Sequence, residues 1–372
     1  MVIIFAAFLA GALYLIQKAA YKKWWSSKVS VRISFEKEMV TAGEETRLFE
    51  IVENRKWLPL ASLKVKFHCS RCLEFQDGMN SSVTDKYYRN DLFSVMSYQR
   101  ITRTHQIKCP QRGYYGIDGI DLVGGDLFFS EEMLKSLSCE AMLYVIPAAV
   151  RTKALEFALL NINGEIAAKR YELEDPFTYK GIREYEVYDE MKAVNWKATA
   201  KTDELKVNMR EHTAVSDVRI FMNLTDDNIL RRKELLELSI SICAGLAEAL
   251  LEQGIRLSVY ANAGDCISGR ILCMEGNTNK GNMDEIYKAL ARLSLDEKLE
   301  DFEKCFGERL LGQEESLYTI FISSNRHKEF QELLCEYKKR GSFKWLCPVK
   351  EDARDILDTL KNDSFMIREE QG

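Results

Sequence analysis

Residues 181–207 read Gly181-Ile-Arg-Glu-Tyr-Glu-Val-Tyr-Asp-Glu-Met-Lys-Ala-Val-Asn-Trp-Lys-Ala-Thr-Ala-Lys-Thr-Asp-Glu-Leu-Lys-Val207. The stretch is dense in charge and aromatic rings, has no proline, and divides a β-rich half from an α/β half. A turn at Gly181 leads into Arg183, Glu184 and Tyr185. Tyr185, Asp189, Lys192, Trp196 and Ala200 recur every three or four residues, which predicts one shared helix face. Asp189 can alternatively cap a shorter helix, its carboxylate accepting a backbone N–H. On either reading a carboxylate, an ammonium and two large rings share a surface suited to packing between domains or to holding a partner.

The same block resembles the signature of the bacterial "domain of unknown function 58" family, roughly R-E-Y-x-x-G-D-x-x-R-x-I-x-W-x-x-S-A-R-x-x-x-L-x-V. Arg183, Glu184, Tyr185, Asp189, Trp196, Ala200, Leu205 and Val207 match it, and Lys192, Val194, Thr199 and Lys201 are conservative variants. Tyr188 stands where the pattern has Gly. Asn54 with Leu58-Pro59-Leu60 resembles the family's N-x-x-x-x-L-P-L loop. Arg112-Gly113-Tyr114-Tyr115 and Asp126-Leu127-Phe128 resemble its R-G-x-Y and D-x-F elements. Gly113 is expected to supply a turn conformation, and Arg112 to pair with a carboxylate such as Asp126. The resemblance implies three parts: a membrane anchor over 1–25, a small antiparallel β-sandwich over 26–150, and a von Willebrand factor A-like (Rossmann-like) α/β domain over 216–372. The linker and signature block fill 151–215. It also implies a MoxR-type AAA+ ATPase as partner, and two apolar helices at the start where one is visible, so an upstream helix is expected to be missing.

Outward from the block, the residues carry much of this division themselves. Val2 to Ile16 is apolar, with Lys18, Lys22, Lys23 and Lys28 after it and no lysine or arginine before it. The run is short against the roughly 20 residues of a full span, but Lys18 can snorkel and Trp24 and Trp25 suit an interfacial belt. The charge bias predicts a single-pass protein in the cell membrane with its body in the cytoplasm. A cleaved signal peptide would have its basic residues before the apolar core instead.

Val29, Val31, Ile33 and Phe35 alternate with polar residues, as a half-buried strand does. Further strands are expected at 47–52, 63–67, 101–109, 114–123 and 141–146, a sandwich pattern, with a long polar loop from Gln76 to Phe93. The segment 151–179, broken at Asp175-Pro176, is expected to be the seam between domains. Beyond His212 strands and helices alternate: strands at 218–222, 255–261, 317–323 and 343–348, helices at 230–253, 329–340 and after Asn282. Such alternation predicts a parallel sheet covered on both faces.

In these sheets ligands sit at the carboxyl ends of the strands. The von Willebrand-type metal site has D-x-S-x-S at the first strand's end, where this chain has Asn223, Thr225 and Asp227. Oxygen ligands of this kind suit Mg²⁺, but the set is degenerate, and the expectation is no cofactor. Cys69-Ser-Arg-Cys72 beside His68 lacks a second pair for zinc.

No nucleophile–base pair or phosphate loop is present, and the four histidines lie in unrelated contexts. A net charge of −5 argues against nucleic acid as partner. Ten scattered cysteines point to a reducing compartment, not a disulfide framework. The expected function is a non-enzymatic, membrane-anchored interaction or scaffold protein that binds through Arg183, Glu184, Tyr185, Asp189, Lys192 and Trp196. The competing expectation is an extracytoplasmic, metal-dependent adhesion module.

Overall fold

A computed structural model describes residues 1–76, 81–83, 87–172, 179–186, 189, 191–210, 217–225, 232–277, 282–296, 299–311, 318–350 and 356–368. The chain forms two compact units, Met1–Ala148 and Ala149–Gly372.

The first unit begins with helix α1, Val2–Trp24, whose apolar side chains Ile3, Ile4, Phe5 and Phe8 face outward. Within it, Ile3–Trp24 is long and apolar enough to cross a membrane. Among the described residues the strands that follow are β1 Val29–Phe35, β2 Met39–Thr41, β3 Glu45–Asn54, β4 Leu60–Cys69, β5 Glu74–Phe75, β6 Ser81–Val83, β7 Tyr87–Val95, β8 Arg100–Lys108, β9 Gly113–Gly125 and β10 Glu132–Ile146. They make a four-stranded sheet, β1-β3-β8-β5, and a six-stranded sheet, β2-β10-β9-β4-β7-β6. All pairings are antiparallel except β2 with β10. Leu48, Val52 and Ile107 from the first sheet share a core with Val65, Phe93, Leu122 and Leu143 from the second. Period-two burial along β3 and β7 is the physical basis of this sandwich.

The polar loop expected from Gln76 to Phe93 is not found. β7 occupies its second half, and 77–80 and 84–86 lie outside the described residues. The alternation of β7 is masked in the sequence because its inward positions include Arg89 and Asp91, which invert the usual polarity. Gly113 opens a strand and makes no turn. A Cβ there would lie 2.7 Å from the Tyr115 ring, so close approach explains the glycine.

The lower part of α1 is seated on the sandwich. Tyr21 and Trp25 are buried in its core, and the Tyr21 hydroxyl donates to Pro59 O at 2.7 Å. The Trp25 ring lies against Gly124, where any Cβ would meet it at 2.3 Å.

In the second unit the elements are α2 Lys153–Glu172, β11 Tyr179–Glu184, α3 Trp196–Thr202, β12 Lys206–Arg210, β13 Val218–Asn223, α4 Lys233–Glu252, β14 Leu257–Gly264, β15 Ile271–Asn277, α5 Asn282–Arg292, α6 Phe302–Leu311, β16 Tyr318–Ser323, α7 Lys328–Lys338, β17 Phe343–Pro348 and β18 Ser364–Ile367. β15-β14-β13-β16-β17-β18 form one sheet, parallel throughout except at β15. β13, β16 and β17 are buried along their whole length, as strands covered on both faces must be. The two faces differ in chemistry. Ile220, Val259 and Ile320 pack with Leu155, Leu246 and Leu290 of α2, α4 and α5 in an aliphatic layer. Phe221, Phe321 and Trp345 pack with Phe306 and Phe330 of α6 and α7 in an aromatic one.

The expected seam is therefore mostly helix. Leu155, Ala158, Ile162 and Ile166 place α2 in the second unit's core. Glu165 accepts from Tyr318 Oη at 2.7 Å and pairs with Lys344 at 2.7 Å, tying the helix to the sheet. Burial disfavours the Lys344 charge, but Glu165 and Asp363 outweigh it and raise its pKa.

Candidate functional site

The signature block does not form the single helix that its spacing predicts. β11 and β12 pair antiparallel, with Ile182 opposite Asn208, Arg183 opposite Val207 and Glu184 opposite Lys206. Between them lie a 3-10 turn, Met191–Ala193, and the short helix α3. Asn195 is the residue that caps α3: its Oδ1 accepts from Ala198 N at 2.9 Å, and its Nδ2 donates to Asn208 Oδ1 at 2.6 Å. One side chain thereby starts the helix and fastens it to β12. Asp203, in the left-handed region at φ 54°, ends it. Val194 bridges to Val207, and both are buried.

Asp189 caps no helix. Its carboxylate takes two parallel contacts from Arg183, at 2.7 and 2.5 Å, and a third from Glu186 N at 2.8 Å. The Arg183 guanidinium, helped by that amide, holds the Asp189 carboxyl below the usual range. Glu184 lies 3.3 Å from Lys206, which also reaches Glu204 at 3.0 Å. Tyr185 is half-buried and donates its backbone N–H to Leu205 O. Lys192 sits exposed in the 3-10 turn, and Trp196, first residue of α3, is 63% exposed. Of the six expected binding residues, the fold joins Arg183 with Asp189, and it separates Tyr185, Lys192 and Trp196, which spacing had put on one face. Ile182, Met191 and Leu205 add exposed apolar surface to this module. Their place at ribbon and turn ends carried no periodic signal.

The carboxyl end of β13 was the second expected site. Asn223 is buried, and its Oδ1 accepts from Thr225 N at 3.0 Å. Asp227 lies outside the described residues. Asn262 of β14 fills the space between the two: its Nδ2 donates to Thr225 Oγ1 at 2.8 Å and Glu300 O at 2.9 Å and lies 3.4 Å from Asn223 Oδ1. Its Oδ1 accepts from Leu224 N at 2.8 Å. The oxygens that would face a cation already face an amide NH₂, and the side chains among them are neutral. Asn223, Thr225 and Asn262 thus do not fit Mg²⁺, which demands near-octahedral oxygen coordination with carboxylate charge.

A buried charge cluster in the sandwich was not anticipated. Glu50 Oε2 lies 3.3 Å from His105 Nε2, which is 3.8 Å from Asp91 Oδ2. Asp91 also takes Arg89 at 2.6 Å and Arg103 at 2.9 Å. Arg89 stacks over Phe75 and Arg103 over Phe93. Burial pushes the Glu50 carboxyl up, with the His105 hydrogen bond opposing. Glu50, Asp91 and His105 are close enough to share an ion, but two guanidiniums already occupy Asp91. The cluster is an ion-pair tie between sheets: Glu50 and His105 come from one, Asp91 and Arg89 from the other. Cys69 and Cys72 are likewise structural. Cys69 is buried with its thiol pushed up to about 12 by burial, and Cys72 Sγ lies 3.5 Å from Gln111 Oε1.

Asp126 does not pair with Arg112. Its carboxylate accepts from Gln17 Nε2 at 3.0 Å, Ser130 N at 2.6 Å and Ser130 Oγ at 2.6 Å. Burial works against its charge, but Ser130, Gln17 and the Ser130 and Glu131 amides hold the carboxyl down at about 2.

No protein-family model matches this chain, and no curated protein does. Among solved structures, it is similar to the CARDB domain of a Pyrococcus furiosus protein crystallised with di-metal ions (16% identity, 32% of this chain and 87% of that one, TM-score 0.22). A non-cellulosomal cohesin from Archaeoglobus fulgidus follows (10% identity, 32% and 92%, TM-score 0.24). Domains D2 and D3 of the major pilin SpaD from Corynebacterium diphtheriae are also similar (11% identity, 33% and 57%, TM-score 0.24). The chain is multidomain, with an N-terminal apolar helix and β-sandwich-like sheets.

Proposed function

We propose that this chain is a membrane-anchored, non-enzymatic interaction protein of the "domain of unknown function 58" type. Its residues 216–372 form a von Willebrand factor A-like domain, its body lies in the cytoplasm, and its working partner is a MoxR-type AAA+ ATPase. The observation that carries the reading is the signature module: an ion-paired ribbon that leaves Trp196 exposed to solvent, with Met191, Ile182 and Leu205 of the same block also exposed. Exposed rings on a rigid frame suit recognition, since little side-chain entropy remains to be lost. The sheet order supports the domain assignment. Numbered within the sheet it runs 3-2-1-4-5-6, with strand 3 as the antiparallel edge. The lysines below α1 support the orientation.

The experiment is affinity capture of the full-length protein from native membranes, with and without ATP, comparing wild type with Trp196→Ala. Recovery of an AAA+ ATPase with the wild type and its loss with the variant is expected. Recovery of no protein partner in any nucleotide state defeats the reading. The adhesion alternative is weakened by the Asn262 amide at the carboxyl end of β13. It is tested separately with the exposed thiols Cys266 and Cys273: an impermeant maleimide should label them only after cells are opened.

A further inference from the structure

We infer that the helix-bearing end of the β-sandwich is itself a membrane-binding surface, with the β9–β10 turn immersed at the level where lipid headgroups meet acyl chains. The inference rests on the anchor reading of α1 and adds a second point of attachment to it.

Strand register places three loops at one end. β3 ends and β8 begins beside the start of β1, as the pairings of Asn54 with Val29 and Glu53 with Arg100 show. β4 begins beside the end of β7 and the end of β9, with Leu60 opposite Val95 and Ser62 opposite Gly125. The loops after β3, β7 and β9 therefore project from the end where α1 enters. They carry Trp57, Met96, Tyr98, Leu127, Phe128 and Phe129, all exposed; Phe128 and Phe129 are 65% and 68% so. Asn54 Nδ2 donates to both Leu58 O and Met96 O, which locks two of these loops together. Tyr98 and Phe129 stand at φ 57° and 54°, a left-handed backbone that costs energy for a bulky aromatic residue. Both strained residues are largely exposed, Tyr98 at 71% and Phe129 at 68%, so the fold itself buries little of either ring.

The depth follows from α1. Its polarity changes between Ile16 and Gln17. The β9–β10 turn grips the helix on both sides of that boundary. On the polar side Asp126 takes Gln17, and Glu131 pairs with Lys18 at 2.8 Å. On the apolar side Phe128 packs against Tyr14, ring centroids 5.8 Å apart. If α1 enters a bilayer, its polarity change marks the interface. Asp126 and Glu131 then lie among the headgroups, and Phe128 lies beyond them toward the acyl chains. Aromatic rings favour that depth, and Lys22, Lys23 and Lys28 at the base favour anionic headgroups. The apolar run from Val2 to Ile16 covers only about 22 Å at 1.5 Å per residue. Aromatic tips drawn into the interface suit so short an anchor.

The test uses the full-length protein in phosphatidylcholine–phosphatidylglycerol vesicles that contain a phospholipid with a photoactivatable diazirine on its acyl chain. Adducts are mapped by mass spectrometry after irradiation. We expect labelling of residues 3–16 and of the 127–129 tip, the latter at least about tenfold above the opposite-end turns 42–44 and 109–112, as interfacial burial requires. In the exposed-site double variant Phe128→Ser, Phe129→Ser, labelling of the tip should fall to that background while labelling of α1 persists. A labelled helix with an unlabelled tip in the wild type overturns the inference and leaves the anchor standing. An unlabelled helix overturns both.

Discussion

Arg183 and Asp189, six positions apart in the chain, face one another through two parallel N–H···O contacts, 2.7 and 2.5 Å long. This pair, and not a helix, gives the signature block its shape. Lysine cannot reproduce a planar two-pronged contact. Arg183→Lys should therefore loosen the turn: amide hydrogen exchange between residues 184 and 194 should quicken severalfold, while the global unfolding midpoint holds. Unchanged exchange would show that the pair is incidental to the module.

The Asp91 cluster should behave as a buried ion pair with one partner removable. Asp91→Ala takes a carboxylate away from buried Arg89 and from Arg103 and should cost roughly 3–5 kcal/mol. Urea denaturation followed by a probe in the first unit measures it. A loss under 1 kcal/mol would mean that water enters the cluster freely.

Glu50 and Asp126 should respond to pH in opposite senses. The Glu50 pKa is raised from 4.5 in the folded chain, so its contribution is complete below 4.5 and is lost as pH rises through the folded value. Glu50→Gln, which mimics the protonated form, should accordingly gain stability relative to wild type at pH 8 and not at pH 4. Unfolding midpoints at the two pH values decide it.

Asp126 is lowered from 3.8 to about 2, so its contribution is present above 3.8 and is lost as pH falls toward 2. Acid should therefore release the turn from Gln17 before it unfolds the sandwich. Asp126→Ala should do the same at neutral pH, at a cost of about 2 kcal/mol for lost charge-assisted hydrogen bonds. Exchange rates over residues 126–131 report the release.

Asn262 should be indispensable to the end of β13. Asn262→Ala removes donors to Thr225 and Glu300 and the acceptor for Leu224, and should cost about 1–3 kcal/mol. In the wild type, millimolar Mg²⁺ should leave the thermal midpoint unchanged. A rise would show that a cation displaces the amide.

Local pattern was enough where polarity and period agreed. β1, with apolar residues at every second position, and β13, whose Val218, Ile220, Phe221 and Met222 make a short apolar cluster, are legible from their own residues, as is the apolar run that becomes α1. A strand or helix of that kind declares itself because burial is decided by its own side chains. The alternation also indicated a sandwich followed by a covered sheet.

What the chain folds into at its most informative block was decided elsewhere. Tyr185, Asp189, Lys192 and Trp196 have helical spacing, yet Tyr185 N bonds to Leu205 O, Val194 bridges to Val207 and Asn195 N bonds to Lys206 O, and those distant partners interrupt a single helix. β7 stayed hidden because Arg89 and Asp91 point inward toward His105 and Arg103, partners from another strand that no local window contains. The amide at the centre of the presumed metal site comes from Asn262, 39 residues after Asn223. By itself the sequence determined where apolar surface recurs, and hence helix α1 and most strands. Tertiary structure alone decided which charges meet, because a buried charge is tolerated only beside a partner that folding brings from a distance.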